Sequence, residues 1–524
     1  MIYRWSASVL AVISVSYWCA SSDASAATFY VDGTKATNGT GSGWSTAFNN
    51  LQSAIAAAAT NPLDEDQIWV PGSAVGITYK PGATRVSTFQ LQNNVKIYGG
   101  FVGTETPAQF ALRDPVANLT ILSGEIGNSA DTTDNCHHVV SALAKLEFGK
   151  SVLDGFTITG GNTFDESRDP PEDFRGGGIL IKVLGNGETN ACRPIIARGI
   201  LKDNLSALDG GGAAAVAAGG LSAPACEPWF VNCEFRGNEA TRHGGGLAAV
   251  SAAPTVMNAI LHDNTAGDSG GGAALVGSFT SMSVLSSTFS GNHAWKTGGL
   301  AALSGAFLTT TNSIYWGNSD DSSATPDQIS NENAKHCCIQ AQPLGLPADA
   351  NIDADPLFLN AAGGDFRLAL NSPCIDVGLT AALPPDVANI DADGGVDALS
   401  EATPLDFGLA RRVSYTLAGT IDACAPDALD MGAYENGDCD GDGTRDQDEV
   451  DIGGSASGAD GIPDDCQDCN GNSVLDTTEL AGNDCNHNGR LDECDIALGC
   501  SLDANGKTCL RPSSEAEHPG HHSD

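Results

Sequence analysis

A short word ending in asparagine recurs through residues 200–318, and its spacing restricts the possible folds more than any other feature of the chain. It reads Ile200-Leu201-Lys202-Asp203-Asn204, Phe235-Arg236-Gly237-Asn238, Ile260-Leu261-His262-Asp263-Asn264, Phe289-Ser290-Gly291-Asn292 and Ile314-Tyr315-Trp316-Gly317-Asn318. After four of these asparagines comes a glycine run followed by a small or apolar residue: glycines 210–212 before Ala213, 244–246 before Leu247, 270–272 before Ala273, and Gly298-Gly299 before Leu300. The last three asparagine intervals are 26, 28 and 26 residues. Such a unit is too short to be a domain and too regular to be accidental.

A unit of this size cannot bury its own apolar face, so it must stack on copies of itself. The apolar runs (248–250, 256–261, 282–289) are of strand length, and no 3.6-residue period runs through them. The expected fold is therefore all-β: a right-handed parallel β-helix, or solenoid, one coil per repeat, its hand set by the general chirality of parallel β connections. Asparagines stacked at one turn can hydrogen-bond to one another and to the backbone. Glycine at another corner permits positive φ or close backbone approach. Both columns read as structural.

Composition fits such a molecule. The 524 residues include 63 Gly, only 6% aromatic and 17% charged residues, and carry a net charge of −40. That charge disfavours nucleic acid or an anionic membrane as partner and favours cations. Residues 1–26 read as a signal peptide, with Arg4 before an apolar run from Ala7 to about Val15 and Ala24-Ser25-Ala26 at the cleavage position. Cys19 raises lipidation as an alternative, although Trp18 fits a lipoprotein box badly. No segment of the remainder is apolar enough for a membrane span. The mature chain is expected to be soluble and exported. Of 16 cysteines, one lies in this leader; the 15 left are an odd number in a compartment that permits disulfides.

Residues 28–33 open the mature chain as a strand. Ser45 then introduces Phe48, Leu51, Ile55 and Ala58 at helical spacing, either as a cap over the open first coil or as an ordinary surface helix. Strands of irregular early coils are expected at 66–70, 88–91, 95–101, 119–122, 137–140 and 152–160. With Ile97-Tyr98-Gly99-Gly100-Phe101, Leu153-Asp154-Gly155-Phe156-Thr157-Ile158-Thr159-Gly160-Gly161-Asn162 and the later Phe-x-x-Asn and Gly-Gly-small repeats, the chain resembles bacterial secreted β-helix proteins of the pectate-lyase-like superfamily, especially those with polymorphic outer-membrane-protein repeats. Asp355-Pro356-Leu357-Phe358, Gly364-Asp365-Phe366-Arg367-Leu368, residues 371–378 and 430–435 resemble the closing coils of such proteins. The resemblance covers residues 27–435 and implies the fold, but the superfamily mixes lyases, hydrolases and adhesive surface proteins. Nothing after residue 435 reads as a membrane barrel.

Aligned on their asparagines, the coils place Arg242, Asp268 and Lys296 in one column, with His243 beside Arg242 and Asp209, Asp263 and His293 in nearby columns. A β-eliminating lyase needs carboxylates to hold Ca²⁺ against a uronate and an Arg or Lys as base; a hydrolase needs paired carboxylates. Arg242, His243, Asp263, Asp268 and Lys296 are the candidates, although no lyase or hydrolase motif accompanies them. A column of alternating charge on stacked strands is equally a surface ion-pair ladder. The polar insertion at 163–175 is a candidate contact loop or an uncommitted surface loop.

Beyond Glu435 the composition turns to Asp, Asn, Gly and Cys. Asp438, Asp440, Asp442, Thr444, Asp446 and Glu449, with Gly443 at the sixth position, match the Ca²⁺ loop: oxygen ligands at alternating positions, a glycine for the sharp turn and a final carboxylate able to bind through both oxygens. Asp468, Asn470, Asn472, Asp476 and Glu479 repeat it with Ser473 in place of Gly, and Asp484, Asn486, Asn488, Asp492 and Asp495 repeat it again; 460–464 is a decayed copy. The region 436–509 resembles dockerin and thrombospondin type 3 calcium repeats. That implies Ca²⁺-dependent folding, local pairing of Cys466, Cys469, Cys485, Cys494, Cys500 and Cys509, and a cohesin-like protein as a possible partner. Zinc at Cys466-x-x-Cys469 fits a carboxylate-rich exported segment less well; an acidic disordered segment is the other alternative. Residues 510–524 read as a disordered tail.

Together these features lead us to expect a secreted or cell-surface β-helix with a small Ca²⁺-loop C-terminal region, a binding or adhesive scaffold for extracellular polysaccharide or a cell-envelope component. The alternative is a polysaccharide lyase or glycoside hydrolase.

Overall fold

The computed structural model describes residues 26–60, 64–143, 145–164, 173–183, 191–217, 226–322, 327–330, 333–341, 350–369, 371–375, 377–384 and 429–434. Four parallel sheets wind around one apolar core. Sheet I has ten strands, from Thr28–Tyr30 to Ala334–Lys335; sheet II has nine, from Ile77–Tyr79 to Cys338–Ile339; sheet III has five short ones, from Leu205–Ser206 to Ser319–Asp320; sheet IV has eight, from Phe89–Gln90 to Ile329–Ser330. One coil runs Trp229–Val231 in sheet I, Glu234–Arg236 in II, Glu239–Ala240 in III and Leu247–Val250 in IV, and returns to sheet I at Thr255–Met257. Every partner of these strands in the next coil is parallel. This is a parallel β-helix, consistent with the right-handed winding that parallel crossovers demand.

The runs 256–261 and 282–289 are not single strands. Each is bent between sheets I and II by a residue with positive φ, Asn258 (50°) and Ser286 (45°), as Asn232 (52°) and Asn312 (54°) bend the coils on either side. One left-handed residue redirects the chain at that corner, and Asn adopts it more readily than most residues.

The asparagines of the recurring word stack as a ladder in the wall of the coil. Asn204, Asn238, Asn264 and Asn292 each donate from Nδ2 to Oδ1 of the next asparagine, ending at Asn318, at 3.0, 2.9, 2.9 and 2.8 Å. Gln328 closes the series by accepting from Asn318 Nδ2 at 2.8 Å. All five asparagines are buried, so the amides take the place water would have. At the opposite end of sheet III, Gly244 and Gly270 have φ of 65° and 70°, while Thr297 (51°) does the same work in the coil that has only two glycines. A Cβ on Gly245 would lie 2.4 Å from Thr265 O and 2.5 Å from Gly271 O, so the coils close at this corner only without a side chain.

Inward-facing Ile196, Phe230, Val256 and Val284 of sheet I meet Leu201, Phe235, Leu261 and Phe289 of sheet II in a continuous core. The helix Leu51–Ala58 covers its N-terminal end, burying Leu51, Ala54, Ile55 and Ala58 in that core. Its N-cap is Asn50, which accepts from Ser53 N, rather than Ser45; Ser45 lies in a separate 3-10 turn, Trp44–Thr46, and Phe48 pairs with Val31 outside the helix. A 3-10 segment, Pro107–Leu112, folds over the outside of sheet I. There Phe110 and Arg113 close on Trp69, Tyr98 and Phe101, and Arg113 and Arg198 share the buried carboxylate of Asp154.

The C-terminal part departs from the expectation of closing coils. Phe358–Asn360 and Asp365–Leu368 form an antiparallel pair. Phe366 and Ala433 cluster with Ile260, and Leu368, Cys374 and Met431 with Ile314 and Cys338. Ile260, Ile314 and Cys338 lie on sheet II in the column that alternates with the inward one, so this segment packs on the outer face instead of extending the solenoid. The seven described cysteines, Cys136, Cys192, Cys226, Cys233, Cys337, Cys338 and Cys374, are all buried. The expected Ca²⁺ loops, their six cysteines and the tail lie outside the described residues, as does residue 25 and all before it.

Candidate functional site

The corner between sheets III and IV gathers the charged residues of the repeat. Asp209 is fully buried, and its carboxylate accepts from Arg242 Nε (3.1 Å), Arg242 Nη2 (2.9 Å) and Arg175 Nε (2.9 Å). Arg175 also bonds Asp173 at 2.9 Å, and Lys182 stands 3.3 Å from the same carboxylate. Asp173 and Arg175 end the polar insertion, so its C-terminal end is tied into this corner; residues 165–172 lie outside the described residues. His243 bridges between Asp209 and Ser269 on the flanking coils, and Asp268 lies 3.9 Å from His243 and 3.7 Å from Lys296.

The register is not the one that alignment on the asparagines implies. Thr265 and Ala266 pair with His293 and Ala294, but Ser269, rather than Asp268, pairs with Lys296. Gly267 and Asp268 therefore face the single residue Trp295: a β-bulge, which re-aims side chains locally. The column still alternates in charge from coil to coil, because Lys296 reaches across to Asp268. Trp295 is 52% exposed beside Lys296, and His293 bonds Ser319 Oγ at 3.0 Å and lies 3.5 Å from Asp321. Trp295 escapes a reading by charge or repeat position, since it sits in no recurring word of the coil; its only sequence signal is a large aromatic in a solvent-facing, strand-length run.

Asp263 is not part of this corner. It occupies the left-handed turn (φ 53°) before Asn264, on the far side of the ladder, and accepts from His262 Nδ1 at 2.8 Å; His262 Nε2 lies 2.9 Å from Glu234 Oε1. Of the five candidates, Arg242, His243, Asp268 and Lys296 come together and Asp263 does not.

The electrostatics describe what this corner can do. The hydrogen bonds to Asp209 hold the Arg242 guanidinium above its usual pKa, against the smaller opposing effect of burial. Two-pronged pairing with a buried carboxylate fixes its position and its charge. Such a group can bind an acid or a hydroxyl but cannot easily release a proton to become a base. Burial pushes the His243 imidazole down, opposed by Asp209 and Asp268, so it favours the neutral form. Among the described residues no group of three or more His, Cys, Asp or Glu side chains is arranged to hold a metal, and no helix is long and apolar enough to cross a membrane.

No family profile and no curated protein matches the chain. Among solved structures, the crystal structure of pectate lyase Pel9A matches with a TM-score of 0.38 and 12% identity, covering 79% of this chain and 97% of that one. The parallel β-helix itself is established by the strand pairing within the chain.

Proposed function

We propose that the protein is a secreted or cell-surface calcium-binding β-helix, a non-catalytic binding or adhesive scaffold whose ligand is extracellular polysaccharide or a cell-envelope component. The observation that carries this reading is the exposed Trp295 ring at the edge of a charged column repeated coil by coil. Stacked coils recur about every 4.8 Å, which suits a linear polymer. An aromatic face beside fixed donors and acceptors is how proteins hold sugars: apolar C–H surface against the ring, hydroxyls on the polar groups. Arg242, Arg175 and Lys296 are each engaged with carboxylates, an arrangement that supports binding better than proton abstraction.

Calorimetry or affinity electrophoresis against uronate-rich and neutral polymers tests the reading. Binding without turnover is expected, weakened about tenfold, roughly 1.4 kcal/mol, by Trp295→Ala. The alternative, a lyase, is read in the same experiment: unsaturated product that appears with Ca²⁺ and is lost in Arg242→Ala or Lys296→Ala overturns the scaffold reading. The C-terminal loops at 438–449, 468–479 and 484–495 supply oxygen ligands of the kind Ca²⁺ takes. A cohesin-like partner on that region is tested by a complex that EDTA dissolves.

A further inference from the structure

We propose that Cys338 and Cys374 form a disulfide that fastens the C-terminal segment to the outside of the last coils. Cys338 lies on Cys338–Ile339, the final strand of sheet II. Its neighbours Cys337 and Ile339 belong to the main core, as the alternation of a strand requires, so Cys338 faces outward. There it joins a separate buried cluster with Ile314, Leu368, Cys374 and Met431. Both residues are fully buried in that cluster, and Cys338 Sγ donates to Ala354 O at 3.1 Å. The two backbones belong to different layers, each held in place. Cys338 N donates to Ser313 O at 2.9 Å in the coil; Cys374 N donates to Ser372 Oγ at 3.1 Å, and Cys374 O accepts from Met431 N at 2.9 Å in the covering segment. The other five described cysteines line the inside of the coil. Cys338 and Cys374 therefore meet where the covering segment packs on the last coil.

The chemistry is thiol–disulfide exchange. The two thiols give up two protons and two electrons as the S–S bond forms, and an oxidised small-molecule or protein disulfide accepts them, leaving as two thiols. The contact with Cys374, together with burial, pushes the Cys338 thiol far above its usual pKa. The folded reduced protein therefore presents little thiolate and oxidises slowly, and the bond forms mainly while the segment is still docking.

The full chain refolded in a mixture of oxidised and reduced glutathione, alkylated under denaturing conditions and digested without reduction tests this. The expected product is one cross-linked species joining the peptides that contain Cys338 and Cys374, lighter by two hydrogens than the two thiol peptides together. Because Cys337 is adjacent, two variants assign the sulfur: Cys337→Ala keeps the cross-link and Cys338→Ala abolishes it. Reductant lowers the melting temperature of the wild type and of Cys337→Ala by several degrees and leaves Cys338→Ala and Cys374→Ala unmoved. Complete alkylation of both cysteines after oxidative refolding overturns the proposal. So does a cross-link from Cys374 to any cysteine beyond residue 435, or one that survives in Cys338→Ala.

Discussion

Asn264 concentrates the physics of the repeat in one side chain. Its Nδ2 donates to Phe235 O at 2.8 Å and to Asn292 Oδ1, while its Oδ1 accepts from Asn238 N at 3.1 Å and from Asn238 Nδ2. All of these groups are out of reach of water, so truncation leaves several buried partners unpaired at once. Asn264→Ala is expected to cost about 3 kcal/mol or more, read as a lower denaturation midpoint in urea with the ligand still bound by whatever remains folded. A loss below about 1 kcal/mol would mean that the ladder is decorative. The same logic applies to Arg242: its removal takes two of the three donors from the buried Asp209, so Arg242→Ala has a structural effect that must be measured beside any change in binding or turnover.

Among the elements, the antiparallel pair Phe358–Asn360 and Asp365–Leu368 has the most local control. Phe366 lies over His262, with ring centroids 5.1 Å apart, and His262 is held between Glu234 and Asp263. Arg236 is also bonded to Glu234, at 2.9 Å. Burial pushes the His262 imidazole down, but the hydrogen bonds and charges of Glu234 and Asp263 outweigh it, and the net shift is upward. Only the protonated ring donates to both carboxylates. A raised folded-state pKa contributes stability that is fully present below the unfolded value, about 6.5, and is lost as pH rises through the folded value. Amide exchange in residues 358–368 should therefore accelerate beyond its intrinsic rise as the pH is raised above about 6.5, and His262→Gln should remove that excess. An excess unchanged by the substitution would uncouple the pair from the histidine.

The whole molecule is close to one-dimensional: each coil contacts its neighbours, and the ends need separate protection. The helix Leu51–Ala58 protects the first coil, and the segment carrying Phe366, Cys374 and Met431 wraps the last ones from the side. Such an assembly predicts independence between the coils and the proposed Ca²⁺ loops. Chelation with EDTA should expose residues after about 435 to protease and leave the melting transition of the coils in place, with Ca²⁺ restoring protection. Identical digestion with and without Ca²⁺ would remove the calcium assignment of Asp438, Asp468, Asp484 and their companions.

The repeat, its all-β coil, the asparagine ladder and the glycine corner were legible in the sequence because each coil is neighbour to a copy of itself: 26 to 28 residues of chain return to the same place, so periodicity records the contact. The alternating charges of Arg242, Asp268 and Lys296 were legible for the same reason. What breaks the period left no such record. The one-residue bulge that sets Trp295 against Gly267 and Asp268, the left-handed bends at Asn258 and Ser286, and the buried clasp of Arg113 on Asp154 all depend on the local fit of one coil to the next. The folding of residues 358–375 onto the outside of sheet II depends on contacts far apart in the chain, Ala433 reaching Thr288 across 145 residues, and a pairing made once has no repeat to announce it. The sequence by itself determined how the coils stack; only the tertiary structure decided which side chains the stacked coils leave facing water and which they pin to a partner.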